Sequence, residues 1–406
     1  MKTNWQTKKL GDICDFYNGL WKGKEPPYIH VGVIRNTNIT KEGKLNDTDI
    51  AYLDVERKQF DKRKLAYGDI VLEKSGGGPK QPVGRVIIFD KTDGNFSFSN
   101  FTSVIRVKDQ GVLDFNFLHK FLFYSYFIGI TERMQSHSTG IRNLDLHKYK
   151  EIEIPFPQFP EQQRIVKILD DIFINIEEIK RNAEINLQNS KELFESYLQS
   201  IFANPGKDWD ETKLGDVCGF VRGPFGGSLK KNIFKKDGYV VYEQQHAIYN
   251  QFTNVRYFVD EKKFNEMKRF ELKSGDLIMS CSGTMGKIAV APDGIKKGII
   301  NQALLKLSPH HIIYNQFLKY WMESGVFQDD LKMYTKGAAI KNVVSVKILK
   351  EIKILVPKVS EQKIIVKKLD EFSAETKRLE QIYEQKLSDL DEFKKSVLSK
   401  AFHAEL

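Results

Sequence analysis

The chain has 406 residues, 41% of them hydrophobic and 29% charged, which is room for two or three domains that each bury an apolar core. No apolar run approaches the eighteen or so residues that span a bilayer, and the N-terminus lacks the apolar core of a signal peptide. Three cysteines (Cys14, Cys218 and Cys281) are too few and too odd in number for a disulfide framework, so a cytoplasmic protein is expected, and the net charge of +10 points toward a polyanionic partner.

Along the chain, Trp5, Leu10, Gly11, Asp12, Cys14 and Phe16 open a segment of short strands. β-Branched and aromatic runs bounded by Gly, Asn and Pro predict strands at Tyr28–Ile34, 69–72, 83–89 and 152–154. Residues 114–126 read as a buried helix with Asp114 at its N-cap. After Pro160, residues 161–200 form a predicted long helix with Ile165, Leu169, Ile172, Ile176 and Ile179 in four-three alternation, and Pro205-Gly206 stops it.

The sequence then begins again. Trp209, Leu214, Gly215, Asp216, Cys218 and Phe220 repeat the opening at an offset of 204, and Gly68-Asp69 return as Gly275-Asp276. Strands are predicted at Tyr239–Tyr242, 276–279, 287–290 and 352–356, and a helix follows Tyr314 with the same Phe-Leu pair as 117–118. A second long helix, 361–400, carries Ile365, Leu369, Phe372, Leu379 and Leu387 on its apolar stripe. Seven of twelve positions are identical between 161–172 and 361–372, so the chain is a tandem duplication.

Each long helix would run roughly 60 Å at 1.5 Å per residue and cannot bury its stripe alone. The expected fold is therefore mixed α/β: two similar lobes separated by two long helices paired as an antiparallel coiled coil, a circular repeat with a pseudo-twofold axis. The divisions fall at 1–157 and 204–357 for the lobes, and at 158–203 and 358–406 for the helices.

The segments 161–200 and 361–400 hold five basic against eight acidic residues and nine against nine, so the rest of the chain carries +13. Lobes facing a polyanion, with helices facing solvent or protein, fit that distribution. The lobes differ most at 17–60 and 221–265, where residues suited to base edges and phosphates gather: Trp21, Lys22, Lys24, Arg35, Asn36 and Asn38 in the first, Arg222, Lys230, Lys231, Asn232, Gln244, Gln245 and His246 in the second. Ser138, Thr139, Arg142 and Asn143, matched by Lys336, Lys341 and Asn342, suit sequence-blind phosphate positioning.

Credible catalytic chemistry is missing from the sequence. Glu25-Pro26-Pro27-Tyr28 resembles the Asp/Asn-Pro-Pro-Tyr element of amino-methyltransferases, but glutamate has the wrong length and no glycine-rich cofactor loop accompanies it. The glycines at 76–78 and at 283 and 286 do not have P-loop spacing, and no His-Glu-x-x-His or zinc-spaced cysteine pair occurs. Cys14 and Cys218 hold matching repeat positions, as small buried side chains would.

These features resemble the specificity subunit of type I restriction-modification enzymes over essentially the full length. The resemblance rests on the helix openings Pro157 to Ile165 and Pro357 to Ile365, each with Glu-Gln, and on the Trp-x4-Leu-Gly-Asp lobe openings. It rests also on Gly223-Pro224-Phe225-Gly226-Gly227-Ser228, similar to a segment at the start of that family's target recognition domains, where the first lobe has Asn18-Gly19-Leu20-Trp21-Lys22. The resemblance implies a non-catalytic subunit in which each lobe reads one half of a split, asymmetric duplex site while the helices set the gap. It implies two methyltransferase subunits as partners, restriction subunits through the complex, and S-adenosylmethionine bound by the methyltransferases rather than here. The rival readings are a methyltransferase or nuclease in its own right, and a coiled-coil scaffold with two protein-binding lobes.

Overall fold

A computed structural model describes residues 5–21, 23–78, 81–138, 140–335 and 345–406. The chain divides into two compact units, Met1–Glu184 with Gln385–Leu406, and Ile185–Glu384. No helix among the described residues is long and apolar enough to cross a membrane.

The first unit is built on a four-stranded antiparallel sheet in the order Cys14–Asn18, Thr102–Val107, Ile70–Glu73, Val86–Ile88. Its central strands are almost wholly buried because each face of the sheet is covered. The helix Phe115–Phe127 lies in the core on one face, capped by the Asp114 carboxylate, which accepts from the backbone N–H groups of Asn116 and Phe117. On the other face sits a three-stranded sheet, Ala51–Glu56, Tyr28–Ile34 and Phe96–Phe98, sharing a core of Ile34, Val71, Ile87, Phe98 and Val104. A ribbon of Gln6–Lys9 and Glu153–Phe156 ties the start of the lobe to the residues before the long helix.

The second unit repeats this scaffold. Its main sheet runs Cys218–Arg222, Leu304–Pro309, Leu277–Ser280, Ile288–Val290, and its ribbon pairs Asp210 with Val356 as the first pairs Gln6 with Phe156. In both second sheets the central strand runs parallel to a later one, Tyr28–Ile34 to Phe96–Phe98 and Tyr239–Tyr242 to Gly298–Ile300. Cys14 and Cys218 are 2% and 1% exposed, as expected of small buried residues.

The long helices span Phe159–Ala203 and Val359–Phe402, each beginning in one unit and ending in the other. Pro160 lies within the first turn rather than before it, where its missing N–H leaves no helical bond unmade. Within the first unit the two helices run antiparallel: Arg164 donates to the Leu406 carbonyl (2.9 Å), and Lys180 meets Asp391 (3.1 Å). Within the second, Trp209 Nε1 donates to Glu361 (2.9 Å), and the Tyr197 and Phe372 rings lie 4.6 Å apart. Each unit thus takes a stretch of both helices into its own core.

Of the predicted stripe, Ile165, Leu169, Ile176 and Leu369 are buried, and Ile172, Ile365, Phe372 and Leu387 are half-buried. Ile179 and Leu379 are instead 39% and 37% exposed. A straight helix drifts by ~20° per heptad from a four-three repeat, so the buried face moves off the predicted one and takes in Val166, Phe173 and Val366.

The Glu-Gln at each helix start has a structural reason. Gln162 is fully buried, accepts from the Asp114 N–H (2.8 Å) and donates to the Val112 and Pro157 carbonyls (2.9 Å each). Gln362 does the same with the Tyr314 N–H (2.6 Å) and the Ile312 and Pro357 carbonyls (3.0 and 2.8 Å). One amide locks each long helix to the start of its lobe helix.

Candidate nucleic-acid interface

In each unit a few of the predicted reading residues, Asn36 and Asn143 in the first and Gln244 and Arg222 in the second, meet at the turn that follows the central strand of the main sheet. In the first unit the strand Ile70–Glu73 runs out into Lys74-Ser75-Gly76. Lys74 donates to Asn18 Oδ1 (3.1 Å), Asn36 Nδ2 donates to the Ser75 carbonyl (2.5 Å), and the Ser75 hydroxyl donates to Asn143 Oδ1. Arg142 lies opposite Gly77 in a small third sheet of Gln135–Ser138, Ile141–Leu144 and Ser75–Gly77. Gly76 has φ +98°, and a Cβ there would stand 3.0 Å from Asn36 Nδ2, so the turn admits no side chain. Asn36 and Asn143, drawn from two separate predicted groups, thus meet at one place.

The second unit builds the same turn from Cys281, Ser282 and Gly283. Gln244 Nε2 donates to the Ser282 carbonyl (2.5 Å), as Asn36 does to Ser75. Asn18 and Arg222 end equivalent strands, while Lys74 and Cys281 open equivalent turns. Burial raises the Cys281 thiol to about 11, and the adjacent Arg222 guanidinium opposes that rise. A cation therefore stands at this spot in both units, carried by the turn in one and by the neighbouring strand in the other. Partial burial lowers the pKa of Lys74 from the ordinary lysine range.

Two predicted readers are turned inward and brace the loops. Asn38 and His246 are both 0% exposed. Asn38 Oδ1 accepts from the Arg35 N–H (2.9 Å), and His246 Nδ1 accepts from the Glu243 N–H (2.9 Å), the same contact three residues back in each unit. Asn38 also donates to the Asn46 and Asp49 carbonyls (3.0 and 3.1 Å), and burial lowers the His246 pKa. A side chain spent on buried backbone has no reach to a base edge, which corrects the expectation for these two.

The remaining predicted residues are distributed as follows. Trp21 is 65% exposed and Lys24 is exposed, whereas Arg35 is half-buried and donates to the Asp49 carbonyl (3.0 Å). Lys230, Lys231 and Asn232 are exposed before the strand Tyr239–Tyr242, and Gln245 is half-buried beside Glu243 (3.3 Å). Ser138 ends the strand Gln135–Ser138. Lys22, Thr139, Lys336, Lys341 and Asn342 lie outside the described residues.

Lys74, Ser75 and Ser282 are not among the residues that the sequence singles out, although Lys74-Ser75 lies two residues past a predicted strand, which is a usable signal. The first turn is stiffened from below by a buried pair: Arg85 binds both Glu73 oxygens (2.8 and 2.9 Å) and donates to the Ile39 and Asn36 carbonyls (2.5 and 3.3 Å). With four of the five guanidinium donors bonded, such a pair fixes the loop 36–39 against the sheet. Among the described residues no group of three or more His, Cys, Asp or Glu is placed to hold a metal ion.

Comparison with known proteins gives one consistent result. The type I restriction modification DNA specificity domain family matches residues 2–187 and again 206–387. The chain is 24% identical over 395 residues to the type I restriction enzyme MjaVIII specificity subunit of Methanocaldococcus jannaschii, covering 88% of this chain and 84% of that one. It is 22% identical over 318 residues to the EcoBI specificity subunit of Escherichia coli, covering 71% of this chain and 66% of that one. Among solved structures, a chain from a study of complex assembly and conformational transition of a type I R-M system superposes with a TM-score of 0.81 at 18% identity, covering 99% of this chain and 98% of that one. The HsdS subunit of Thermoanaerobacter tengcongensis gives 0.64 at 17% identity, covering 100% and 98%.

Proposed function

Because the chain belongs to the type I restriction modification DNA specificity family, we propose that its two units read the two halves of one split duplex site, with the long helices fixing the gap between them. A specificity subunit chooses the DNA and leaves the bond-making to its partners. The observation that carries the reading is one scaffold furnished twice with different side chains: Asn36 against Gln244, Lys74 against Cys281 and Asn18 against Arg222, at equivalent backbone positions. Identical frames with unlike furnishings give two readers of unlike sequence, and so an asymmetric site.

Base discrimination falls to the polar side chains of these loops that are exposed or half-buried. These are Lys24, Arg35 and Asn36 in the first unit, and Arg222, Lys230, Lys231, Asn232, Gln244 and Gln245 in the second, each good bidentate pair contributing about 1–3 kcal/mol. Arg142 and Asn143, on the small sheet beside the first turn, suit phosphate positioning. The +13 outside the long helices supplies the salt-dependent, sequence-blind part of the affinity. Two methyltransferase subunits, each bringing its own S-adenosylmethionine, are the partners that the helices and adjoining lobe faces would hold, and restriction subunits join through them.

Methylation mapping of cells with and without this chain, in the presence of its methyltransferase partner, tests the reading. A bipartite, asymmetric motif should vanish with the chain. A continuous or palindromic motif would sink the proposal.

A further inference from the structure

We propose that Trp21 and Phe225 are paired wedges: each inserts its ring at a base step of the half-site read by its own unit. The inference rests on the reading of the chain as a DNA specificity subunit. These two residues share one position in the repeat, at the offset of 204 set by Trp5 and Trp209, inside loops that otherwise diverge. Both are strongly exposed, Trp21 at 65% and Phe225 at 92%. A single exposed aromatic is ordinary, but one placed at the same repeat position in both units by the same glycine contact is not.

That device is glycine. A Cβ on Gly19 would meet the Ser99 carbonyl oxygen at 1.9 Å, and a Cβ on Gly223 would meet the Asn301 carbonyl oxygen at 1.9 Å. Each glycine lets its loop lie directly on the neighbouring chain. Hydrogen bonds from Leu20 N to the Phe98 carbonyl (2.8 Å) and from Gly223 N to the Leu304 carbonyl (2.9 Å) hold it there. Leu20 and Pro224, the next residues, are buried anchors. The residue after each anchor, Trp21 or Phe225, is thus thrust outward from backbone that cannot yield.

The surroundings name the ligand. In the second unit a cavity of about 690 Å³ beside Phe225 is lined by Arg222, Arg269 and Lys263, the last paired with Glu266 (3.2 Å). In the first, Arg63 and Lys74 both donate to Asn18, three residues before Trp21 (3.1 Å each). Exposed aromatic rings on loops that carry cations match a polyanion with π-faces, which is a nucleic acid. On a duplex they reach a face by partly unstacking a base step. The hydrophobic area left in water by the free protein is then covered by a base.

The test uses the full chain with its methyltransferase partner, and duplexes carrying 2-aminopurine at adenines of each half-site other than the methylated ones, since methyltransferases extrude their own target base. Wild type should raise 2-aminopurine fluorescence in both half-sites. Trp21→Ala should abolish the rise in one half-site only and Phe225→Ala in the other only, each weakening specific binding about ten-fold, whereas Phe225→Trp restores both signals. Both positions are exposed, so melting temperatures should not move. Site-selective binding with silent 2-aminopurine, or alanine variants that weaken specific and non-specific DNA alike, overturns the wedge while leaving the specificity reading intact. Wild type that shows no site selectivity brings down that reading and the wedge with it.

Discussion

At the level of single residues, the loops are organised by side chains that look like readers and act as braces. Asn38 and His246 share no identity, yet each accepts a backbone N–H three residues back, because an amide oxygen and an imidazole nitrogen serve equally as acceptors. Asn38→Ala takes the side-chain partner from the Arg35 N–H and the Asn46 carbonyl, while the Asp49 carbonyl keeps the Arg35 guanidinium, and should cost about 1–3 kcal/mol. It should also degrade discrimination in one half-site alone, which methylation of a mixed-site library would reveal; equal loss in both would refute it. His119 offers a pH-dependent counterpart. Burial pushes its pKa down to about 4, so it is neutral in the folded lobe while the unfolded chain takes up a proton from about pH 6.5 downward. The folded pKa lies below the unfolded one, so stability is at its full value above pH 6.5 and falls by up to about 3 kcal/mol on acidification toward pH 4. Melting temperatures at pH 7 and 4.5 should separate more for wild type than for His119→Phe. Sequence comparison by identity found Cys14 and Cys218 as buried twins, because they are the same residue. It could not pair Asn38 with His246, whose equivalence lies in backbone geometry.

Among elements, the long helices were the most legible feature, since forty residues without Pro or Gly and a regular apolar stripe leave little else to form. The strands Tyr28–Ile34 and Tyr239–Tyr242 coincide with their predicted bounds because turn residues flank them. What stayed hidden was the partner of each helix start. The identical Glu-Gln pairs marked the position, but the Asp114 and Tyr314 amides they serve lie 48 residues away. Gln162→Leu strips three hydrogen bonds from buried and part-buried backbone groups and should cost on the order of 3 kcal/mol, measurable by denaturant unfolding, with no gain from the added apolar volume. A loss below a few tenths would show that the helix is held by packing alone. Helix length carries a separate consequence. Removing one heptad from the middle of both helices shortens each by about 10 Å, the length of about three base pairs. The methylated motif should then keep both half-site sequences and lose about three base pairs from its gap. A motif with its original gap would show that the helices are not the ruler.

For the molecule as a whole, the two units are unequal in chain continuity. The second is one stretch, Ile185–Glu384, whereas the first joins Met1–Glu184 to Gln385–Leu406. The returning segment is part of the core: Val397, Leu398, Ala401 and Phe402 are buried in the first unit's main cluster. The Phe402 ring packs against Phe117, Phe121 and Tyr124 at centroid distances of 5.4, 5.2 and 5.6 Å. Burying side chains of this size contributes roughly 1.5–3 kcal/mol each for the larger ones, and their sum is comparable to the 5–15 kcal/mol or so that keeps a domain folded. Truncation after Glu384 should therefore unfold the first unit and spare the second, whose core of Leu198, Phe202, Leu277, Phe317 and Leu369 contains none of the lost residues. Limited proteolysis should leave a resistant fragment covering the second unit. DNA binding should retain preference for one half-site only, and a peptide of residues 385–406 added in trans should restore the other. If the truncated chain keeps both preferences and a protease-resistant first unit, the returning segment is an appendage, and the duplication closes on itself in sequence without doing so in stability.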